Sequence, residues 1–276
     1  MRLHRLFCVL LLASTTALAD IEIPECYKGP ELGPVRKSAD VSVVVLLDDT
    51  TMFDKVQQAA IQKHIAKFIR TGWELRILRF SANIQGRYTT PVLAAAFAFP
   101  LEEGQRNHIR KPTAQVFDQC REIQLIRGKK RLSEIFEDYF STATNTIARS
   151  EILAAVRDVG ASVLPSLKGK KHTIFLVSDM LENSSTTSFY QSNTIRMISP
   201  EAETTKAEKA GLMAKLGGAS VYVFGAGVIP QSNVSANYLD QERMGALRSF
   251  WKQFFDRSGG RLEEFGQPLL LKSVVE

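Results

Sequence analysis

Two short segments concentrate the groups that could do chemistry: Asp48-Asp49-Thr50-Thr51-Met52 and Ser178-Asp179. Carboxylates beside hydroxyls make a hard-oxygen donor set, which suits magnesium or calcium when waters complete the shell. The same residue types also cap helix N-termini, where side-chain oxygens accept from exposed backbone amides. Both readings stand at this level. Zinc is a poorer match, because His64, His108 and His172 are scattered without ligand spacing and no Cys-x-x-Cys pair occurs. Neither a Gly-x-Ser-x-Gly elbow nor a Gly-x-x-x-x-Gly-Lys-Ser/Thr loop is present. The chain is therefore expected not to be an enzyme.

The two segments depend on the elements that precede them. Residues 41–47 form a continuous apolar, largely β-branched run with Asp48 immediately after it, and residues 172–178 form a second such run with Asp179 after it. Further strands are predicted over 74–81, 87–99, 219–225 and 261–265, with a turn at 83–86. Helical spacing covers 53–70, 113–126, 132–140, 151–164, 207–216 and 242–258. The basic runs Arg127-Gly128-Lys129-Lys130-Arg131 and Lys168-Gly169-Lys170-Lys171 read as solvated turns between elements. Strands apolar on both faces, alternating with helices, specify an α/β, doubly wound, mostly parallel sheet with helices on both faces. Ligands in such folds bind at the carboxyl ends of the central strands, where Asp48 and Asp179 fall.

At these strand ends the chain resembles the von Willebrand factor type A family. That family's metal-ion-dependent adhesion site combines a strand ending in Asp-x-Ser-x-Ser, a Thr or Ser from a middle loop, and an Asp at the end of a later central strand. Asp48 and Thr50 match the first motif, and Asp179 in Thr-Ile-Phe-Leu-Val-Ser-Asp-Met matches the third. Ser150-Glu151-Ile152-Leu153-Ala154-Ala155-Val156 resembles the family's Thr-Asp-Ile-x-x-Ala-Leu, which puts Ser150 in the middle position, with Thr146 and Thr144 as alternatives. The likeness runs over residues 40–266 in element order. Met52 departs from it by standing where the second serine belongs, and a thioether is a soft donor unsuited to magnesium or calcium. The resemblance implies a metal set of Asp48, Thr50, Ser150 and Asp179, with Asp49 or Thr51 available for the missing hydroxyl. It also implies a weakly bound Mg2+ or Ca2+ and a protein partner whose carboxylate completes the shell.

The amino terminus adds a compartment. Arg2 and Arg5 precede an apolar run at 6–13 and then Ala17-Leu18-Ala19, the arrangement of a cleavable signal peptide, and the run is too short to span a bilayer. The expected division is a signal peptide at 1–19, an extension at 20–39, the α/β domain at 40–266 and a tail at 267–276, with the mature chain in the periplasm or secreted. Loss of Arg2 and Arg5 leaves 33 basic against 29 acidic residues, a mild excess with no basic stripe interleaved with aromatics, so no nucleic acid is expected. Cys26 and Cys120 remain in an oxidising compartment, compatible with one disulfide or with two buried thiols. The long segment 180–203 carries Phe189 and Tyr190 among polar residues, as candidate anchors for a partner or as packing for the loop itself.

The functional expectation is an exported protein-binding module, an accessory of an envelope assembly such as a secretion or conjugation system. Two alternatives accompany it. One is a metal-free structural scaffold. The other is a metal-dependent phosphatase of the haloacid dehalogenase type, which needs an acid two residues after its nucleophile, where this chain has Thr50.

Overall fold

β1 (Val41–Asp48) is buried from Ser42 to its end, because both its faces are covered. Val43, Val45 and Leu47 point into one apolar cluster and Val44 and Leu46 into another, as the two-residue period of a strand requires. The surrounding sheet is completed by β2 (Trp73–Ile84), β3 (Arg87–Ala96), β4 (Lys171–Val177), β7 (Ser220–Phe224) and β8 (Arg261–Phe265), in the order β3-β2-β1-β4-β7-β8. A separate two-stranded hairpin pairs β5 (Tyr190–Gln191) with β6 (Thr194–Ile195). Only β2 and β3 pair antiparallel in the main sheet. This computed structural model describes residues 23–84, 87–144, 149–191, 194–229, 239–271 and 274. The leader at 1–19 lies outside them.

Two helices, α1 (Lys55–Ala66) and α3 (Lys111–Thr142), cover the face to which Val43 and Val45 point, through Ile61, Ile65, Leu132 and Phe136. The opposite face is covered by α4 (Ile152–Asp158), α5 (Pro200–Lys209) and α6 (Gln241–Arg257), with Trp251, Phe254 and Phe255 of α6 fully buried. A short helix, α2 (Glu103–Arg106), precedes α3. The protein is thus an α/β fold with a mostly parallel six-stranded sheet. Counting only main-sheet strands, the order is 3-2-1-4-5-6, so the winding reverses between β1 and β4, the position where folds of this class bind ligands beyond the carboxyl ends of the strands. Leu47 pairs with Val177, so Asp48 and Ser178 leave the sheet side by side.

Three expectations from sequence need correction. The basic run at 127–131 is no turn: α3 passes through it without a break. A Cβ on Gly128 would lie 2.8 Å from the Phe97 ring. The glycine is therefore there for close approach of helix to sheet and not to reverse the chain. The helix expected over 207–216 instead begins at Pro200, a residue preorganised for a first helical turn, and ends before Gly211, whose φ is +68°. The helix expected over 151–164 stays α-helical only to Asp158 and continues as a π turn, Val159–Val163, and a 3-10 turn, Leu164–Ser166.

The segments expected to flank the domain pack onto it. Cys26 and Cys120 are bonded to each other, with Cα atoms 5.7 Å apart, and they sit in a third apolar cluster with Leu32, Ala98, Leu101 and Phe117. Buried Gln124 of α3 accepts from the Ala98 amide and donates to the Pro24 and Ala96 carbonyls, tying this extension to the sheet edge. At the other end, the Gly225 amide donates to the Pro268 carbonyl at 2.8 Å, and Leu270 is buried.

Candidate functional site

Asp48, fully buried at the end of β1, is the hub of the hydrogen bonding there. One carboxylate oxygen accepts from the Thr50 amide at 2.9 Å and the Thr50 hydroxyl at 2.6 Å. The other accepts from the Ser178 hydroxyl at 2.7 Å and the Ser150 hydroxyl at 3.2 Å. Complete burial pushes the Asp48 carboxyl up from the usual range, and these donors pull it back down. Helix capping does not account for it, because α1 is capped by Asp54, which accepts from the Gln57 amide while the Gln57 side chain accepts from the Asp54 amide.

Asp179 follows Ser178 at the end of β4. Its carboxylate accepts from the Leu181 amide at 2.8 Å, and its own amide donates to the Thr51 hydroxyl at 3.1 Å, locking the β1 and β4 loops together. Burial holds the Asp179 carboxyl well above the usual range, and the nearby Asp48 raises it further. Ser150 is delivered from the segment before α4 by paired backbone hydrogen bonds with Asn183, at 3.2 and 2.9 Å. Buried Glu182 supports that approach by accepting from the Leu153 amide at 3.0 Å, and burial pushes its carboxyl up to about 8. Between them Met180 adopts φ +62°, the one non-glycine residue with positive φ among those described, and its carbonyl accepts from the Trp251 indole at 2.9 Å. A bulky residue in that region carries backbone strain held by its surroundings.

The four residues Asp48, Thr50, Ser150 and Asp179 therefore meet at one edge of one sheet. The alternatives do not join them. Asp49 is turned toward Arg79, which donates to it at 2.6 Å and also to Asp138 and Thr142. The Thr144 amide donates to the Asp49 carbonyl, on that same side, and Thr146 lies outside the described residues. Met52 is half exposed, at 50 %, while Thr51 is buried. Phe189 needs correction as a partner anchor: it is fully buried, edge-on to Phe250 with ring centroids 5.2 Å apart. Tyr190 is partly buried against the same core, and burial followed by Asp179 and Asp48 raises its hydroxyl well above the usual range.

Sequence reasoning passed over Ser178 as a partner of Asp48, although the register of two adjacent parallel strands would have placed it there. It also passed over Tyr139, whose hydroxyl donates to the Asp48 carbonyl at 2.8 Å from ninety-one residues away. No local pattern announces that contact.

For a divalent cation, the donors left over are oxygen lone pairs of Thr50 and Ser150, whose protons are given to Asp48, and the remaining oxygen of Asp179. This is a hard set of few protein ligands, the kind magnesium accepts when it keeps several waters. No cluster of three or more His, Cys, Asp or Glu suited to a metal occurs among the described residues.

The sequence matches no protein-family profile and no curated protein. Among solved structures, an aerotolerance-related membrane protein from Bacteroides fragilis aligns at 14 % identity and TM-score 0.38, covering 82 % of this chain and 92 % of that one. BatB from Bacteroides thetaiotaomicron aligns at 13 % identity and TM-score 0.37, covering 82 % and 90 %. The pilus adhesin SpaC from Lactobacillus rhamnosus GG aligns at 9 % identity and TM-score 0.42, covering 82 % of this chain and 28 % of that one. Likeness at this level carries nothing about activity. No described helix is long and apolar enough to cross a membrane.

Proposed function

We propose that the protein is an exported binding module of the von Willebrand factor type A kind, which meets a protein partner at the carboxyl edge of β1 and β4. The observation that carries this reading is the gathering of the Thr50, Ser150 and Ser178 hydroxyls on buried Asp48, beside Asp179, at the point where the winding of the sheet reverses. The position two residues after Asp48 supplies no general acid: a phosphatase of the haloacid dehalogenase type needs a carboxyl there, and this chain has the Thr50 hydroxyl, engaged with Asp48. Binding is therefore favoured over hydrolysis.

In this reading Thr50, Ser150 and Asp179 hold a magnesium ion weakly, and the ion offers an open position to a carboxylate of the partner. A cation is favoured beside these two buried carboxyls, since Asp48 raises the free energy of ionising Asp179. Met52 cannot replace the absent hydroxyl, so affinity for the free ion is low and rises when the partner adds its oxygen. The metal-free scaffold is favoured by one observation, that Asp48 is already satisfied by four protein donors. An accessory role in a secretion or conjugation apparatus fits an exported chain by association.

The test is calorimetric titration of Mg2+, Ca2+ and Mn2+ into the mature protein, Asp179→Ala and Met52→Ser. Metal binding lost in Asp179→Ala and strengthened in Met52→Ser supports the ion. Capture of an envelope partner that survives chelator and tolerates Asp179→Ala would leave the metal-free scaffold.

A further inference from the structure

A cleft of about 710 Å³ opens between the π turn at 159–163 and the segment 211–217, where it reaches His172 at the amino end of β4, the opposite end from Asp179. Leu164, Pro165, Met213 and Leu216 give it apolar walls, and no acidic residue among those described lines it. The segment 211–217 is pinned from behind. The amides of Leu212, Ala214 and Leu216 donate to the Ala207 carbonyl, the Ser258 hydroxyl and the Ser258 carbonyl, at 2.9, 3.1 and 2.9 Å. Successive amides of an extended chain point to opposite sides, so those of Met213 and Lys215, both on the cleft wall, face away from these bonds. Neither they nor the Gly217 amide has a hydrogen-bond partner among the described residues. Gly160 of the π turn closes the middle of this edge, since a Cβ there would lie 2.8 Å from the Lys215 nitrogen and 3.0 Å from its oxygen. A polypeptide strand therefore cannot pair along it.

Two side chains extend the set of donors. The Nε2 of His172 is shut from solvent without a partner, and its Nδ1, also without a partner in the protein, is the ring nitrogen left open on the cleft. Lys215 is exposed and has no ion-pair partner among the described residues. Arg157 lines the cleft as well, but Asp158 holds it at 3.0 Å, so that pair adds no net charge. From this we infer a small-molecule site for a monocarboxylic acid with an aliphatic body, independent of the sheet edge and of its reading as a binding face. The carboxylate accepts from the unpaired amides and from His172, beside the Lys215 ammonium, while the body lies against Leu164, Pro165, Met213 and Leu216. The cleft falls within the range of about 300–1,000 Å³ that such sites occupy. One uncompensated ammonium matches one carboxylate, whereas a phosphate monoester brings a charge of about two.

Octanoate, octanol and octylamine share one body and differ only in the head group, which makes them the probes. Titrated into the mature protein and followed by proton–nitrogen NMR, octanoate should bind at least about ten-fold tighter than octanol. Octylamine should not bind at about 5 mM. The largest amide shifts with octanoate should fall at Met213 and Gly217. Lys215→Glu, at an exposed position where the fold tolerates it, should weaken octanoate by at least about five-fold and leave octanol unchanged. Asp179→Ala should change none of these results, so failure at the sheet edge and failure here are distinguishable. Equal binding of octanoate and octanol, or no octanoate binding at about 5 mM, overturns the inference. So do shifts confined to other segments, or octanoate binding that ignores Lys215→Glu.

Discussion

Asp48 shows how a buried carboxylate is tolerated: four donors surround it, and two come from segments more than a hundred residues away in sequence. A hydrogen bond to a charged group contributes roughly 1.5–3 kcal/mol, so Ser178→Ala should destabilise the fold by about that much, read from urea midpoints at unchanged m. Met52→Ser, at an exposed position, should stay within ~0.5 kcal/mol of wild type. If the two substitutions cost the same, the Ser178 contact is not what satisfies Asp48. Glu182 supplies a pH prediction. Its carboxyl is raised by burial, and secondarily by Glu151, from an ordinary 4.5 to about 8. A raised carboxyl keeps its proton in the folded state, so its stabilising contribution is complete below the ordinary value and disappears as pH climbs through about 8. Glu182→Gln lacks that loss. Its stability relative to wild type should therefore rise between about pH 5 and about pH 8, and an unchanged difference at the two pH values would show that Glu182 does not titrate there.

At the scale of elements, α3 joins two parts of the molecule: its first half packs under the disulfide-held extension and its second half on the sheet. Gly128, between the halves, meets buried Phe97, whose ring has no room to swing away. Alanine normally improves a helix interior over glycine by about 1 kcal/mol. Here the overlap with Phe97 outweighs it, and Gly128→Ala should lower stability by about 1–3 kcal/mol. A rise in Tm would mean that the helix stands further from the sheet. The Cys26–Cys120 bond closes a separation of 94 residues. Cys26→Ser with Cys120→Ser should cost about 2–4 kcal/mol and expose the extension to limited proteolysis. Thiol labelling of the unreduced mature protein should find no free thiol.

For the whole molecule, the architecture is compatible with export. A disulfide between the extension and α3 is at home in an oxidising compartment. Amino-terminal sequencing of the protein from the envelope fraction should begin at Asp20, and a chain beginning at Met1 in that fraction would remove the signal-peptide reading.

Alternation of apolar runs with helical spacing was sufficient to specify an α/β, mostly parallel sheet, because a strand buried on both faces and a helix buried on one each leave a local period in the chain. The same periodicity put Asp48 and Asp179 at strand ends, and cysteine usage admitted a disulfide. Tertiary structure decided what faces what. Arg79, thirty residues on, claims Asp49, while Ser178 and Ser150 converge on Asp48. Phe189, in a polar stretch that reads as surface, turns inward onto Phe250. Gly128 and its basic neighbours look like a turn until Phe97 is seen against them. In each case the partner is distant in sequence, and a period of two or 3.6 residues encodes which side of an element is buried but not which atoms wait on the other side of the contact.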